Sequence, residues 1–564
     1  MKVLLLALAA SCWGQSTPKP VAVGEIFPRI DDYLQRLVPF GYAGTALVAT
    51  DDRVLVAKGY GMADRARGIP MSPETVISIG SITKQFTGAA ILKLEMQGKL
   101  RVEDTLSSHF ADVPPDKATI TLHQLLTHTA GLEPDYGPTD YEKVAREEYV
   151  ERVLGRPLAS KPGERFRYSN AGYSVLAAIV EKVSGQGYDE FLQEHLFGPA
   201  KMTRTGYKRA GWSRDEVAVG YRGEETWGTI LERIAVEGAP YWNLRGNGGI
   251  HSTPGDMYRW HLALAGDVVL SKQAREKFQK GYAQEGRQAD THYAYGWSVG
   301  TGPHGRLVEH NGGNGIFAAD FLRYLDAGLV IYVASTDSAI SATQFSHRLA
   351  RIAFGEEVPF PPKTVALEVA ALRKHEGAWR LDSGSLIHVR AAARGLELAA
   401  EGRDAFALLA VPPRDSQRAE TLMARAAAIF EAGAKGDYAP FREALGSGPP
   451  AEEVNQRQAS LWAERRRRFG EFRKVEVLGA QSRGPGLATV ARMDFERGQE
   501  YVQLLWGPGG LMGIILMEKP PGNLYLPESA DSFVSFQLAA GIVSRVRFDG
   551  GRLRIGEAVA QRAE

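Results

Sequence analysis

The chain has 564 residues, is 44% hydrophobic and carries 67 basic against 66 acidic side chains. That length asks for more than one domain, and the near-zero net charge gives no electrostatic reason to expect a nucleic-acid partner. A single cysteine, Cys12, excludes a disulfide framework.

Residues 1–15 read as a signal peptide: Lys2 is the charged start, residues 3–10 form a short apolar run, and small residues follow for cleavage. The run is too short to span a membrane and no later stretch is apolar enough, so no integral membrane segment is expected. The mature chain is expected to be secreted or periplasmic. Cys12 leaves open a lipid-anchored start, although Ala9 stands where a leucine would strengthen that signal. Residues 24–37 place Ile26, Ile30, Tyr33, Leu34 and Leu37 on one helical stripe. Residues 44–49 and 54–57 then read as a hairpin across Asp51 and Asp52.

A β-branched run at 75–79 leads through Gly80 into a helical pattern in which Ile82, Phe86, Ala90 and Leu94 recur every fourth residue, so one face enters a core. Ser81 stands at the start of that helix and Lys84 three residues on, on the same side, where its amine can meet the hydroxyl. A serine hydroxyl is a poor nucleophile until a base takes its proton, and a lysine lowered in pKa by burial can be that base. Ser81 is therefore the candidate nucleophile. The same spacing in Ser16-Thr17-Pro18-Lys19 is a decoy, because Pro18 and Pro20 forbid the helix that would join the pair.

His123 and His128 follow at a spacing that does not suit a helical metal pair, so both are expected to be structural, and no metal or organic cofactor is implied. Residues 163–170 form a loop ahead of a helix whose Tyr173, Leu176, Ala177, Val180 and Val183 point inward. Tyr168 and Asn170 project from that support. A tyrosine depressed in pKa by lysine can shuttle a proton, and an asparagine amide can hydrogen-bond lysine and substrate together. Tyr241-Trp242-Asn243 fits the same short pattern. Segments 295–299, 307–317, 318–322 and 328–334 read as strands at hairpin spacing. His310-Asn311-Gly312 ends one of them in glycines that let a substrate backbone approach closely. His375-Glu376-Gly377 repeats that pattern beyond a proline-rich boundary. The glycines at 312–315 are not a phosphate loop, since no lysine and helix follow.

Ser81-x-x-Lys84, Tyr168-x-Asn170 and His310-x-Gly312, in that order, resemble the serine β-lactamase and penicillin-binding-protein-like superfamily, in the branch of class C β-lactamases, D-alanyl-D-alanine carboxypeptidases, D-aminopeptidases and related esterases. The likeness takes in residues 59–64, 125–132 and 248–256 and covers roughly 24–355. It implies an α/β (α+β) catalytic domain at 24–358, an antiparallel sheet flanked by helices plus an all-helical subdomain. It implies a serine hydrolase working through an acyl-enzyme on a small-molecule or peptide substrate: an ester, an amide or a D-amino-acid peptide. Carried over, Ser81 is the nucleophile, Lys84 and Tyr168 the proton-transfer pair, and Asn170 a lysine and substrate contact. His310 and Gly312 form the third motif, and the N–H groups of Ser81 and Gly313 the oxyanion hole. The superfamily's familiar third motif is K-T-G, whose lysine attracts a carboxylate. A histidine there is mostly neutral at pH 7, which moves antibiotics down the substrate order and esters and amides up. The alternatives are a non-catalytic binder of peptidoglycan peptides or β-lactams and an interaction protein acting through its tail. The oligomeric state is not fixed by the sequence.

Residues 359–364 read as a linker. Segments 377–381, 386–390, 396–400 and 406–411 look like short strands. Past residue 415 come helices at 422–430, 438–445 and 453–469 and four longer strands between 472 and 517; the short-strand style returns at 532–538, 543–548 and 553–555. This pattern predicts a lipocalin-like β domain, 365–413 plus 522–560, interrupted at 414–521 by a module resembling the NTF2-like α+β cone; two consecutive tail domains are the plainer alternative. The run Arg465 to Arg468 is expected on a solvated helix face, and Trp379, Trp462 and Trp506 in cores.

Overall fold

The computed structural model describes residues 26–135, 140–208, 212–234, 242–286, 290–337, 340–410, 413, 415–445, 451–483, 486–507, 509–517 and 522–563. The stretch 1–15 with Cys12, and Tyr241 of the second Tyr-x-Asn, lie outside these residues. The chain divides into two compact units between Val358 and Pro359.

In the first unit, helix α1 (Ile26–Leu37) buries the stripe that its sequence repeats, Ile26, Ile30, Tyr33, Leu34 and Leu37. The hairpin of β1 (Gly44–Thr50) and β2 (Val54–Tyr60) opens an eight-stranded sheet that is completed only much later in the chain, by β3 (Ala283–Gln284), β4 (His292–Tyr293), β5 (Ser298–Gly302), β6 (Gly305–Gly313), β7 (Ala318–Tyr324) and β8 (Leu329–Ser335). The order is β2-β1-β8-β7-β6-β5-β4-β3, with every neighbouring pair antiparallel. β8 is buried at all of its positions, as a strand covered on both faces must be. Val330, Tyr332 and Ala334 on one of those faces share a core with Phe86 and Trp260.

Between β2 and β3 the chain builds the helical side, including α2 (Thr83–Met96), α3 (Asn170–Ser184) and α4 (Pro254–Ala265). The four-residue repeat predicts one buried face for α2, but the helix is buried on every side from Thr83 to Leu92. α3 closes on it from one direction, and the backbone of Tyr295 and Gly296 from another. The start of α3 is held by Ser169, whose hydroxyl accepts from the Gly172 N–H, and its end by Gly185 at φ +76°. Among the described residues no helix is long and apolar enough to cross a membrane.

The second unit contains a closed eight-stranded barrel, a lipocalin-like β domain. Three strands precede the 402–521 segment, β9 (Gly377–Leu381), β10 (Leu386–Ala392) and β11 (Gly395–Glu401). Within that segment stand α6 (Arg403–Leu409), α7 (Ser416–Ala434), α8 (Ala439–Leu445) and α9 (Ala451–Phe469), followed by a sheet in the order β12 (Phe472–Arg483), β13 (Gly486–Phe495), β14 (Gly498–Gly507), β15 (Gly510–Met517); α5 (Ser346–Ala353) belongs to the first unit and packs on α1. The barrel then resumes with β16 (Gly522–Pro527), β17 (Ser532–Gln537), β18 (Ile542–Asp549), β19 (Arg552–Ile555) and β20 (Ala558–Arg562), and β20 pairs with β9 to close it.

Two expectations are corrected here. The described part of the apolar run at 406–411, residues 406–410, is not a strand: Gly402 at φ +96° follows β11, and Ala405, Phe406 and Leu409 are buried at helical spacing on α6, while residue 411 lies outside the described residues. Arg465 is not solvated. It lies on the buried stripe of α9 and donates to Glu500 Oε2 at 2.8 Å. Trp379, Trp462 and Trp506 are buried, as expected.

Candidate active site

Ser81 occupies the short 3-10 turn Gly80–Ile82 that runs into α2, and Lys84 the first turn of α2. Lys84 Nζ lies 3.1 Å from Ser81 Oγ, 2.7 Å from Asn170 Oδ1 and 2.9 Å from the Asn247 carbonyl oxygen. The side chain is wholly buried, at 0% exposure. Burial pulls its pKa from 10.5 down to about 7, while the charges of Asp135 and Asp140 act in the opposite direction. A neutral amine here keeps two N–H donors for the two fixed oxygens and turns its lone pair to Ser81.

Tyr168 reaches the same hydroxyl from the loop ahead of α3. It hydrogen-bonds Ser81, and its ring centroid lies 4.7 Å from Lys84 Nζ. The expected depression of its pKa is reversed: burial of the phenol, helped by the charges of Asp135 and Glu285, outweighs the hydrogen bond with Ser81 and raises it, so Tyr168 stays protonated. Asn170 is the first residue of α3; its amide oxygen faces Lys84 and its amide nitrogen donates to Asp135 Oδ1 at 2.8 Å.

The third motif arrives on β6. A Cβ on Gly312 would stand 2.1 Å from the Ile79 carbonyl oxygen and 2.5 Å from Ser81 N, and one on Gly80 would stand 2.4 Å from Gly313 N. Only glycines let strand and turn meet this closely, and the meeting brings the Ser81 and Gly313 amides together. His310 is only 6% exposed. Its Nδ1–H donates to the Asn311 carbonyl, and its Nε2 accepts from the Tyr293 hydroxyl at 2.8 Å. Burial first, and Lys84 second, lower its pKa to about 3, so the ring is neutral at pH 7. Both ring nitrogens are thus engaged within the protein, and Tyr293 is a residue that sequence reasoning missed.

His128, expected to be structural, lies against the site. Its ring centroid is 4.3 Å from that of Tyr168 and 4.5 Å from that of Tyr293, and its Nδ1 accepts from the Ser169 N–H at 3.0 Å. His123 instead meets the Tyr295 hydroxyl at 2.8 Å. Asn243 of the second Tyr-x-Asn serves indirectly: its carbonyl accepts from Asn247 Nδ2 at 2.6 Å, beside the peptide that Lys84 uses. The competing His375 lies in the second unit, stacked on Phe548. Among the described residues no cluster of three or more His, Cys, Asp or Glu could hold a metal ion.

The family model described as Beta-lactamase matches residues 35–352, more than half of the chain. The chain belongs to the Beta-lactamase family. This Beta-lactamase family protein is similar to "Penicillin-binding protein 4*" of Bacillus subtilis (strain 168), with 29% identity over 372 residues, 62% of this chain and 81% of the relative. Among solved structures it is similar to the octameric penicillin-binding protein homologue from Pyrococcus abyssi, with a TM-score of 0.53 at 18% identity over 95% of this chain and 99% of the other. It is also similar to a β-lactamase/D-alanine carboxypeptidase from Pseudomonas syringae, with a TM-score of 0.51 at 18% identity over 59% of this chain and 99% of the other. At these identities the structural likenesses show the fold, and the first extends it through both units. The protein is therefore a member of the serine β-lactamase and penicillin-binding-protein-like hydrolases.

Proposed function

We propose that the protein is an exported serine hydrolase that acts through an acyl-enzyme on esters, amides or D-amino-acid peptides. The observation that carries this reading is the convergence of Lys84 Nζ and the Tyr168 hydroxyl on Ser81 Oγ. With a pKa of about 7, a good share of Lys84 is neutral at neutral pH and takes the Ser81 proton as Oγ attacks the acyl carbon. The N–H groups of Ser81 and Gly313 would receive the oxyanion, donors of a kind that contribute about 3–4 kcal/mol each. Tyr168, kept protonated, donates to the leaving group and is reprotonated by Lys84, which is thereby neutral again; Lys84 then takes a proton from the water that attacks the acyl-enzyme and returns it to Ser81 Oγ as the acid departs.

The substrate class follows from charge. A neutral, inward-facing His310 offers no cation to a substrate carboxylate, and Asp135 and Asp140 disfavour one near Lys84. Neutral acyl groups and ammonium-bearing peptides therefore rank above β-lactams. A fluorophosphonate should label the wild type and not Ser81→Ala, and p-nitrophenyl esters and D-amino-acid amides should turn over faster than nitrocefin. Lys84→Ala and Tyr168→Phe should each lower kcat/KM by about three powers of ten or more. Stoichiometric labelling by a fluorescent penicillin, with no turnover of any substrate, would instead make the protein a binder. The export part of the reading rests on residues 1–15 and is checked by cell fractionation and N-terminal sequencing; a cytoplasmic chain still beginning at Met1 would overturn it.

A further inference from the structure

His128 follows the short helix Leu122–Leu126 and holds its backbone in the left-handed region, at φ +56°. Residues with a side chain seldom adopt that conformation. A second cost stands beside the first: the ring is buried, and its Nε2 has no hydrogen-bond partner among the described residues. The acyl transfer makes no use of this ring. What it holds is the loop that carries Tyr168. The His128 carbonyl accepts from the Arg167 N–H at 2.8 Å and its Nδ1 accepts from the Ser169 N–H at 3.0 Å, so the residues on either side of Tyr168 both end on one histidine. Its ring also lies against the phenol, with the two centroids 4.3 Å apart. A nitrogen that accepts carries no proton, and burial first, then Lys84 and His310, keep the imidazole from becoming charged.

We infer that His128 is the positioning residue of Tyr168, a role that rests on the hydrolase reading of the site: by gripping Arg167 and Ser169 it holds the phenol where it meets both Ser81 Oγ and the leaving group. One of the two bonds belongs to the backbone and survives substitution; the other belongs to the side chain and can be removed. Asparagine offers an oxygen the same number of bonds from Cα as Nδ1 and tolerates the left-handed backbone. Glutamine carries its oxygen one methylene too far, and leucine has none.

The test is a double-substitution cycle on the full-length protein, with folding checked by circular dichroism and kcat/KM read on phenyl butyrate, whose phenolate leaves more readily with a proton. His128→Leu should lower kcat/KM about 10²-fold, the scale of a reacting group displaced by about 1 Å, and His128→Gln should do the same. His128→Asn should recover it to within about threefold of the wild type. In the Tyr168→Phe background, where the phenolic hydroxyl is already gone, each of these substitutions should cost less than about threefold more; a histidine that served only the fold would cost the same factor in both backgrounds. Equal factors in the two backgrounds, with Tyr168→Phe itself impaired, would overturn the inference and leave the hydrolase reading standing. So would a folded His128→Gln with wild-type turnover, or a folded His128→Asn as poor as the leucine and glutamine variants. Should the leucine variant fail to fold, the asparagine and glutamine variants, alike in polarity, carry the comparison by themselves. Wild-type turnover in Tyr168→Phe would instead overturn the hydrolase assignment of Tyr168, and the inference with it.

Discussion

Lys84 is the residue through which pH acts. As a base it works in the neutral form, so kcat/KM should fall about tenfold per unit below pH 7 and level off above it. The same depression gives the sign of the stability term. Between about 7 and 10.5 the unfolded chain keeps a proton that folded Lys84 has lost, so stability rises with pH across that window, and Lys84→Met should flatten the rise in denaturant midpoints measured at each pH. Asp135 opposes the depression, and it also fixes which way the Asn170 amide faces. Asp135→Ala should therefore move the acid limb of kcat/KM to lower pH. Asp135→Asn should do more harm, by about tenfold, because an amide at 135 can donate, turn Asn170 over and present its NH₂ to Lys84 in place of an oxygen. Equal losses in both variants with an unmoved limb would remove Asp135 from this role. Ser81, Lys84, Tyr168 and Asn170 are legible in sequence because helix geometry and short motifs fix their spacing. Asp135 and Tyr293 are not, since only the tertiary path of their loop and strand brings them to Asn170 and His310.

At the scale of elements, the site depends on a backbone-to-backbone junction between β6 and the turn Gly80–Ile82. A methyl at 312 would meet the Ile79 carbonyl and the Ser81 amide, neither of which is a side chain able to turn aside. Gly312→Ala should therefore push the strand off the turn and displace the Gly313 donor. The expected loss is about 10²- to 10³-fold in kcat, with a destabilisation of about 1–3 kcal/mol in urea from the overpacking. A folded Gly312→Ala enzyme with wild-type turnover would mean that this junction does not hold the oxyanion. The junction is only half visible in sequence: the glycines at 80 and 312 can be read, but not that they touch. α2 and α6 show the other limit. The apolar period of α2 predicts a helix but not burial on every side, because that depends on α3 and the backbone of Tyr295 and Gly296 closing over it. The run at 406–411 is too short for its period to separate strand from helix, and the positive φ of Gly402 decides it.

At the scale of the whole molecule, the second unit makes one barrel from two separated stretches of chain. The change of style near residue 415 and its return near 532 make an insertion readable; β16 and β20 are not read as strands from the sequence. The physical reason that the barrel tolerates so long an interruption is local. Ala399 of β11 pairs with Gly522 of β16, and the Leu409 carbonyl accepts from Asn523 Nδ2 at 2.8 Å, so the chain leaves and re-enters the barrel at neighbouring points. Replacing residues 411–521 by a glycine-containing link of about four residues should then rejoin β11 and α6 to β16 much as a hairpin loop does. The barrel should still close and unfold cooperatively, but at a lower urea midpoint, because Leu478 and Tyr501 of the excised sheet pack into its core. Ending the chain at 521 should be far worse. It removes five of the eight strands, strips Phe533, Val546 and Leu553 from the core and leaves β9 and β11 as open edges, so the truncated protein should aggregate while the internally shortened one stays soluble. The comparison is made by size-exclusion chromatography and circular dichroism on the two proteins side by side. If the shortened chain aggregates as readily as the truncated one, the barrel needs the inserted module to fold at all.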